Sequence, residues 1–306
     1  MKIDLYEPVT NTIIDALEQG TKPWSRPWGT VPGAELQRRS TGQDYRGINQ
    51  LILGLVAGAK GYQSPYWLTF NQAKQLDASV RKGEKSTQIV FYKKLTVKDR
   101  DSSDDDATKQ IPMLRGYRVF NADQIDGLPA KFHPAPLALV KRHERNGEAE
   151  AALRSCGAKI TEGGARAFFS PSEDRVQMPP FDAFETVGGY LATLAHELTH
   201  WTGHKSRLAR DMSGGFGSKS YAFEELVAEM GAAFTCARLG VAGEHIDTHA
   251  AYLASWLKCL RDDKRAIFKA AALAQTASDL VLANAELGEL GELEAEDVDE
   301  METQAA

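Results

Sequence analysis

Residues 196–204 read HELTHWTGH, and no other stretch of this 306-residue chain limits its fold as much. His196 and His200 stand four residues apart, so a helix through them projects both imidazoles from one face. Leu191, Leu194, Ala195 and Leu198 make that helix largely apolar, and Gly203 is placed to end it. The spacing predicts a helix from roughly Phe181 to Trp201, following directly on a strand at DRVQMP.

Two neutral imidazoles on one helix face suit a single Zn²⁺, with Mn²⁺ or another divalent ion as alternatives. Glu197 then sits beside the open coordination position as the general base. A catalytic site of this kind needs a third protein ligand. His204 lies one turn further on and reads as a helix cap or a neighbour. A following helix, YAFEELVAEMGAAFTCARLG, offers Glu224, Glu225 and Glu229. Glu224 and Glu225 open that helix, where the dipole alone favours carboxylates. Glu229 lies among Leu226, Val227, Met230, Ala232 and Ala233, surroundings that penalise a carboxylate unless it is paired or bound to metal. Glu229 is therefore the expected third ligand, with Glu225 as the alternative or as a partner that orients a histidine. The chemistry this implies is attack of an activated water on a polarised carbonyl, most naturally in a peptide. DRVQMP is expected as a groove-edge strand that holds an extended peptide by main-chain bonds. Tyr190 and Tyr221 are the candidates for stabilising the oxyanion.

The rest of the chain reads as a second unit. The full 306 residues favour two domains, and 42% hydrophobic with 25% charged residues over the whole chain is the balance of an ordinary globular protein. Three widely spaced cysteines, Cys156, Cys236 and Cys259, argue against a disulfide framework. With neither an apolar N-terminal run nor a membrane-length one, a cytoplasmic location is expected. The net charge of −6 is uneven: residues 1–133 carry 19 Lys+Arg against 15 Asp+Glu, five of those acids lying in one run at 99–106. The remainder is correspondingly acidic, above all from Glu286 to Glu302. The fold class expected is α+β: an N-terminal α+β domain over 1–130, and a linker with the start of the second domain over 131–150. A mostly helical domain with a small sheet follows over 151–284, then an acidic, disordered tail over 285–306. The acidic run at 99–106 reads as a hairpin loop or insert between two strands.

Within 1–130, aromatic and basic residues interleave in KPWSRPW, DYRGIN, SPYWLTF, VRKGEKSTQIVFYKK and RGYRVFN. Aromatics that stack on bases beside cations that meet phosphates compose a single-strand nucleic-acid surface. The candidate contacts are Trp24, Arg26, Trp28, Tyr45, Arg46, Asn49, Lys74, Arg81, Lys82, Lys85, Tyr92, Lys93, Arg115 and Arg118. No zinc-finger spacing or phosphate-binding glycine loop accompanies them.

Taken in order, YEPVTNTIIDALEQGTKPWSRPW, YRGINQLIL, YWLTFNQAKQL, VRKGEKSTQIVFYKK, VFNADQIDGL, FFSPSEDRVQMPP, LAHELTHWTGHKSRL and YAFEELVAEMGAAF resemble the ArdC-type antirestriction proteins of conjugative plasmids. The likeness covers about residues 6–240, and the N-terminal half also resembles the leading domain of TraC-type primases. It implies a single-stranded-DNA-binding domain joined to a zincin-like metallopeptidase domain; the partners expected are single-stranded DNA, largely independent of sequence, and an unidentified protein substrate such as a component of the host restriction machinery. It also implies protection of incoming plasmid DNA from host restriction. His196, Glu197, His200 and a downstream glutamate take the family's site positions. The competing reading is a DNA-shielding protein whose metal site is structural or vestigial.

Overall fold

A computed structural model describes residues 4–20, 23–24, 36–98, 108–133, 147–215, 218–241 and 250–285. The expected acidic loop at 99–106, most of the linker and the acidic tail beyond 285 lie outside them.

The chain opens with helix α1 (Tyr6–Glu18), whose Val9, Ile13 and Leu17 are buried. Helix α2 (Ile48–Lys60) follows and buries Leu51, Leu53 and Leu55; Gly61, in the left-handed conformation, ends it. The short helix α3 (Phe70–Gln75) starts at Thr69, where Thr69 and Gln72 form a reciprocal capping box. A four-stranded sheet runs in the order β1 (Arg38–Arg39), β2 (Tyr66–Leu68), β5 (Thr108–Asn121), β4 (Thr87–Lys98). β4 and β5 pair antiparallel along their whole length, from Thr87↔Val119 to Lys98↔Thr108, so they form one long ribbon that brackets the acidic run. One sheet face packs Trp67, Ile89 and Val119 on Leu53 and Ala57 of α2. The other packs Leu68 and Phe120 against Ala73 of α3. A separate two-stranded sheet pairs β3 (Ser79–Val80) with β6 (Ile125–Asp126).

The second half starts with α4 (Gly147–Arg154) and a three-stranded sheet of order β7 (Lys159–Glu162), β9 (Arg175–Met178), β8 (Phe168–Ser170). β9 is the central strand, parallel to β7 and antiparallel to β8. Both of its edges are occupied, which corrects the expectation that DRVQMP is a free groove-edge strand. β7 was not expected from sequence, and it is what closes that edge. Among the described residues four helices follow: α5 (Val187–Thr202), α6 (Lys219–Arg238), α7 (Ala250–Asp262) and α8 (Ala266–Val281). α5 starts six residues later than expected. Phe181–Ala183 forms a separate 3₁₀ turn, and Thr186 caps the helix by accepting a hydrogen bond from the Gly189 amide at 3.0 Å.

The two halves share a hydrophobic core. Ile13, Leu17, Trp24, Leu51 and Leu55 pack with Leu226, Met230, Trp256, Ile267 and Ala271 in one buried cluster. Trp24 and Trp256 meet edge to face at its centre, 5.5 Å between centroids and both fully buried. Burial of each large apolar side chain contributes roughly 1.5–3 kcal/mol, so this shared cluster ties α1 and α2 to the C-terminal helices. A second cluster sits under α5, where Tyr190, Leu191, Leu194, Ala195 and Leu198 pack on Leu153, Val176 and Met178. That packing fixes how α5 faces α6.

Candidate metal centre and nucleic-acid surface

Leu194, Ala195 and Leu198 turn one side of α5 into the core, leaving His196, Glu197 and His200 on the opposing arc. His196 and Glu197 are 7% and 8% exposed, so all three sit in a shielded cleft rather than in open solvent. The Nε2 atoms of His196 and His200 face each other at 3.2 Å. Two ligands about 2.0–2.1 Å from one tetrahedral ion stand roughly this far apart.

The third donor comes from α6. Glu225 places one oxygen 3.6 Å from His196 Nε2 and the other 3.5 Å from His200 Nε2. These three side chains form the single His/Cys/Asp/Glu group among the described residues whose donor atoms all lie within 4.8 Å of one another. The donor set, two imidazole nitrogens and one carboxylate, suits a divalent transition metal or zinc.

Glu225 therefore occupies the place expected for Glu229, which is not part of the group. The apolar residues around Glu229 do not enclose it. Leu226, Val227 and Met230 point into the core, while Glu229, on another arc of the helix, is half-buried.

Glu224, set aside in sequence as a helix-opening carboxylate, has a specific task. His200 Nδ1 donates to its Oε1 at 3.1 Å, which fixes the ring with Nε2 toward His196 and Glu225. His196 is held differently. It meets the His200 ring edge to face at 4.8 Å, and its Nδ1 is buried without a hydrogen-bond partner. Burial opposes protonation of His200, but hydrogen bonds to Glu224 and Glu225, with the charges of Glu225 and Glu197, outweigh it and push its pKa up to about 10. Burial likewise opposes ionisation of Glu225, yet hydrogen bonds to His196 and His200 hold its carboxyl well below the usual range.

The oxyanion candidates separate. Tyr190 is fully buried and its hydroxyl accepts from Arg154 at 2.8 Å, beside Glu150 and Glu162. It braces α4 and β7 against α5 and is excluded as an oxyanion donor. Tyr221 lies in the first turn of α6, one turn before Glu224 and Glu225. His204 bonds Ser206 at 2.8 Å and meets the Phe169 ring, outside the donor group.

The nucleic-acid candidates divide as sharply. Trp24 is fully buried and Tyr45 is 8% exposed, so neither can stack on a base. Asn49 spans from α2 to β4, donating to the Val90 carbonyl at 2.7 Å and accepting from the Val90 amide at 2.9 Å. These three expectations are corrected, because interleaved aromatics and amides here build the core and brace the sheet. Arg46 pairs with Asp279 on α8. Arg81 pairs with Glu84 and donates to the Asp123 carbonyl. Lys74, Lys82, Lys85, Arg115 and Arg118 are exposed. Tyr92 and Lys93 lie on β4, in register with Leu114 and Met113, and Arg26 and Trp28 fall outside the described residues. Sequence reasoning passed over Phe70, which is 58% exposed at the start of α3 with Lys74 one turn along. Phe70 ends the SPYWLTF stretch, but sequence alone does not distinguish it from Tyr66 and Trp67 as the ring that faces solvent.

Comparison with known proteins covers both halves. Residues 3–120 match the family model of the N-terminal domain of anti-restriction factor ArdC. Residues 147–273 match that of a zincin-like metallopeptidase. An uncharacterized protein of Sinorhizobium fredii is 42% identical over 90% of this chain and 91% of its own length. DNA primase TraC of Escherichia coli is 39% identical over 92% of this chain, which spans only 20% of that primase. Among solved structures, the antirestriction ArdC protein of plasmid R388 in its metal-free form superposes with a TM-score of 0.81 at 46% identity, covering 92% of this chain and 98% of that one. Its Mn(II)-bound form gives a TM-score of 0.78, covering 94% and 100%.

Proposed function

This chain belongs to the ArdC family of anti-restriction factors, and on that premise we propose a single-stranded-DNA-binding protein that hydrolyses peptide bonds at a divalent-metal site. His196, His200 and Glu225 hold the ion, zinc or manganese, and Glu197 is the general base. The convergence of three donor atoms, all within 4.8 Å of one another on His196, His200 and Glu225, supports this reading most directly.

A bound divalent ion supplies Lewis acidity and lowers the pKa of its water toward ~7. The protein's own groups do the rest. Glu197, next to His196 on the helix face, accepts a proton from the attacking water and returns it to the departing amide nitrogen. The carboxylate of Glu224 keeps the His200 Nδ1 proton in place, so that Nε2 stays a donor of electron density. Burial of His196 and Glu197 limits competing water around the reacting carbonyl.

The exposed cations Lys74, Lys82, Lys85, Arg115 and Arg118 of the N-terminal half are proposed to meet the phosphates of a single strand without sequence preference. Bringing a peptidase to incoming single strands suits protection of conjugative plasmid DNA from the host's restriction machinery. A cytoplasmic location fits this role and the free thiols of Cys156, Cys236 and Cys259. No helix among the described residues is long and apolar enough to cross a membrane.

The test uses the full chain, because α1 and α2 share their core with the C-terminal helices. Labelled oligo(dT) titrated at stepped salt should give an affinity that falls steeply as salt rises. Glu197→Gln, checked to retain its metal, should lose peptide cleavage and with it protection against restriction. Full protection by that variant would leave a DNA-shielding protein with a non-hydrolytic metal site.

A further inference from the structure

We infer that Arg210 is a positioning residue for the metal centre, acting through Glu224 on His200; the inference rests on the metal-site reading above. Arg210 belongs to neither helix. It lies in the loop after α5, yet its side chain is only 4% exposed. Its guanidinium grips Glu224 with two nitrogens, Nε to Oε2 at 2.9 Å and Nη2 to Oε1 at 2.7 Å. Its remaining donors bond the end of α5, with Nη1 to Thr202 Oγ1 at 2.8 Å and Nη2 to the Thr199 carbonyl at 2.6 Å. Glu224 Oε1 in turn accepts from His200 Nδ1 at 3.1 Å.

The result is one continuous chain of bonds from the loop to the imidazole. A planar fork against a carboxylate fixes both its position and its plane, which a lysine cannot do. With both Glu224 oxygens engaged, the oxygen facing His200 has one orientation, and the ring must present Nδ1–H to it. Nε2 is thereby aimed at the point shared with His196 and Glu225. Gly203 keeps the route open: a Cβ there would lie 2.8 Å from Arg210 Nη2 and 2.9 Å from Met212 Sδ. Gly203 has an ordinary helical φ of −74°, so the close approach of Arg210, and not backbone strain, calls for glycine.

The test is a double-variant cycle on Zn²⁺ affinity, measured by competition with a chromophoric chelator. Arg210→Met and Glu224→Gln should each weaken Zn²⁺ binding about 10- to 100-fold. The double variant should lose no more than the weaker of the two single variants, since both break one chain. Arg210→Lys, which keeps the charge and is the reserve variant if Met does not fold, should fall between wild type and Met. Its Co²⁺ absorption spectrum should be shifted from that of wild type. Thr202→Val, which removes an anchor of Arg210 without touching Glu224, should change Zn²⁺ affinity less than threefold. Losses that multiply in the double variant, or Zn²⁺ binding by both Arg210 variants within threefold of wild type, would overturn the inference. Wild-type protein that takes up no Zn²⁺, Mn²⁺ or Co²⁺ would instead overturn the metal-site reading itself.

Discussion

Gly231 on α6 packs against Thr199 on α5 so closely that a Cβ at position 231 would lie 2.5 Å from Thr199 Cγ2 and 2.7 Å from its Oγ1. Thr199 sits between the two metal-facing histidines in sequence and is fully buried, its hydroxyl bonded to the Ala195 carbonyl at 2.8 Å. This contact sets how near α6 comes to α5, and so which glutamate meets His196 and His200.

Gly231→Ala should therefore push the helices apart. Overpacking of this kind costs about 1–3 kcal/mol, which thermal unfolding will show. Because Glu225 rides on α6, Zn²⁺ affinity should fall as well. A variant that loses stability but keeps its affinity would mean that the crossing does not set the donor geometry.

The charges in the cleft give a pH signature in chelator-treated protein. The folded pKa of His200, about 10, lies above its ordinary value of 6.5. Its contribution to stability is thus complete below pH 6.5 and is lost as the pH rises toward 10. Glu224 and Glu225 are lowered from 4.5, so their contribution is present above that value and is lost as the pH falls below it. Melting temperature should decline from pH 6.5 to 10. Added Zn²⁺ should stabilise more as the pH rises, because ligation displaces the proton. A flat or rising melting temperature for the chelated protein over that window contradicts the assignment.

Among the described residues of the N-terminal half, Phe70 is the large aromatic that the fold leaves in the open. If bases stack there, Phe70→Ala should weaken oligo(dT) binding by about 1–3 kcal/mol. An exposed site of this kind shifts stability by no more than about 0.5 kcal/mol, so unfolding serves as the control. Phe70→Trp should keep the affinity and show quenched fluorescence on binding. Unchanged affinity in Phe70→Ala would remove Phe70 from the DNA surface.

What could be read from sequence was what local chemistry decides. The α5 helix needs only its own apolar period. His196 and His200 follow from that helix. What escaped depends on contacts between distant segments. Trp24 and Tyr45 have the composition of a stacking surface, but Trp256 and the α2–sheet layer bury them. Glu229 looked like the ligand because its apolar setting was read without knowing where α5 lies against α6. Only the packing of α6 on α5 in space brings Glu225 to the imidazoles. DRVQMP looked like an edge because β7 carries no strong strand signal. Arg210 could not be found at all, since nothing in HKSRLARD shows that its last arginine reaches a carboxylate fourteen residues on.

The most direct measurement is metal stoichiometry and affinity of the full chain, by calorimetric titration with Zn²⁺ and with Mn²⁺, for wild type, Glu225→Ala and Glu229→Ala. The arrangement of His196, His200 and Glu225 predicts one ion per chain in wild type, at least a hundredfold weaker binding in Glu225→Ala, and binding within threefold of wild type in Glu229→Ala. Loss of the ion in Glu229→Ala with retention in Glu225→Ala would contradict it.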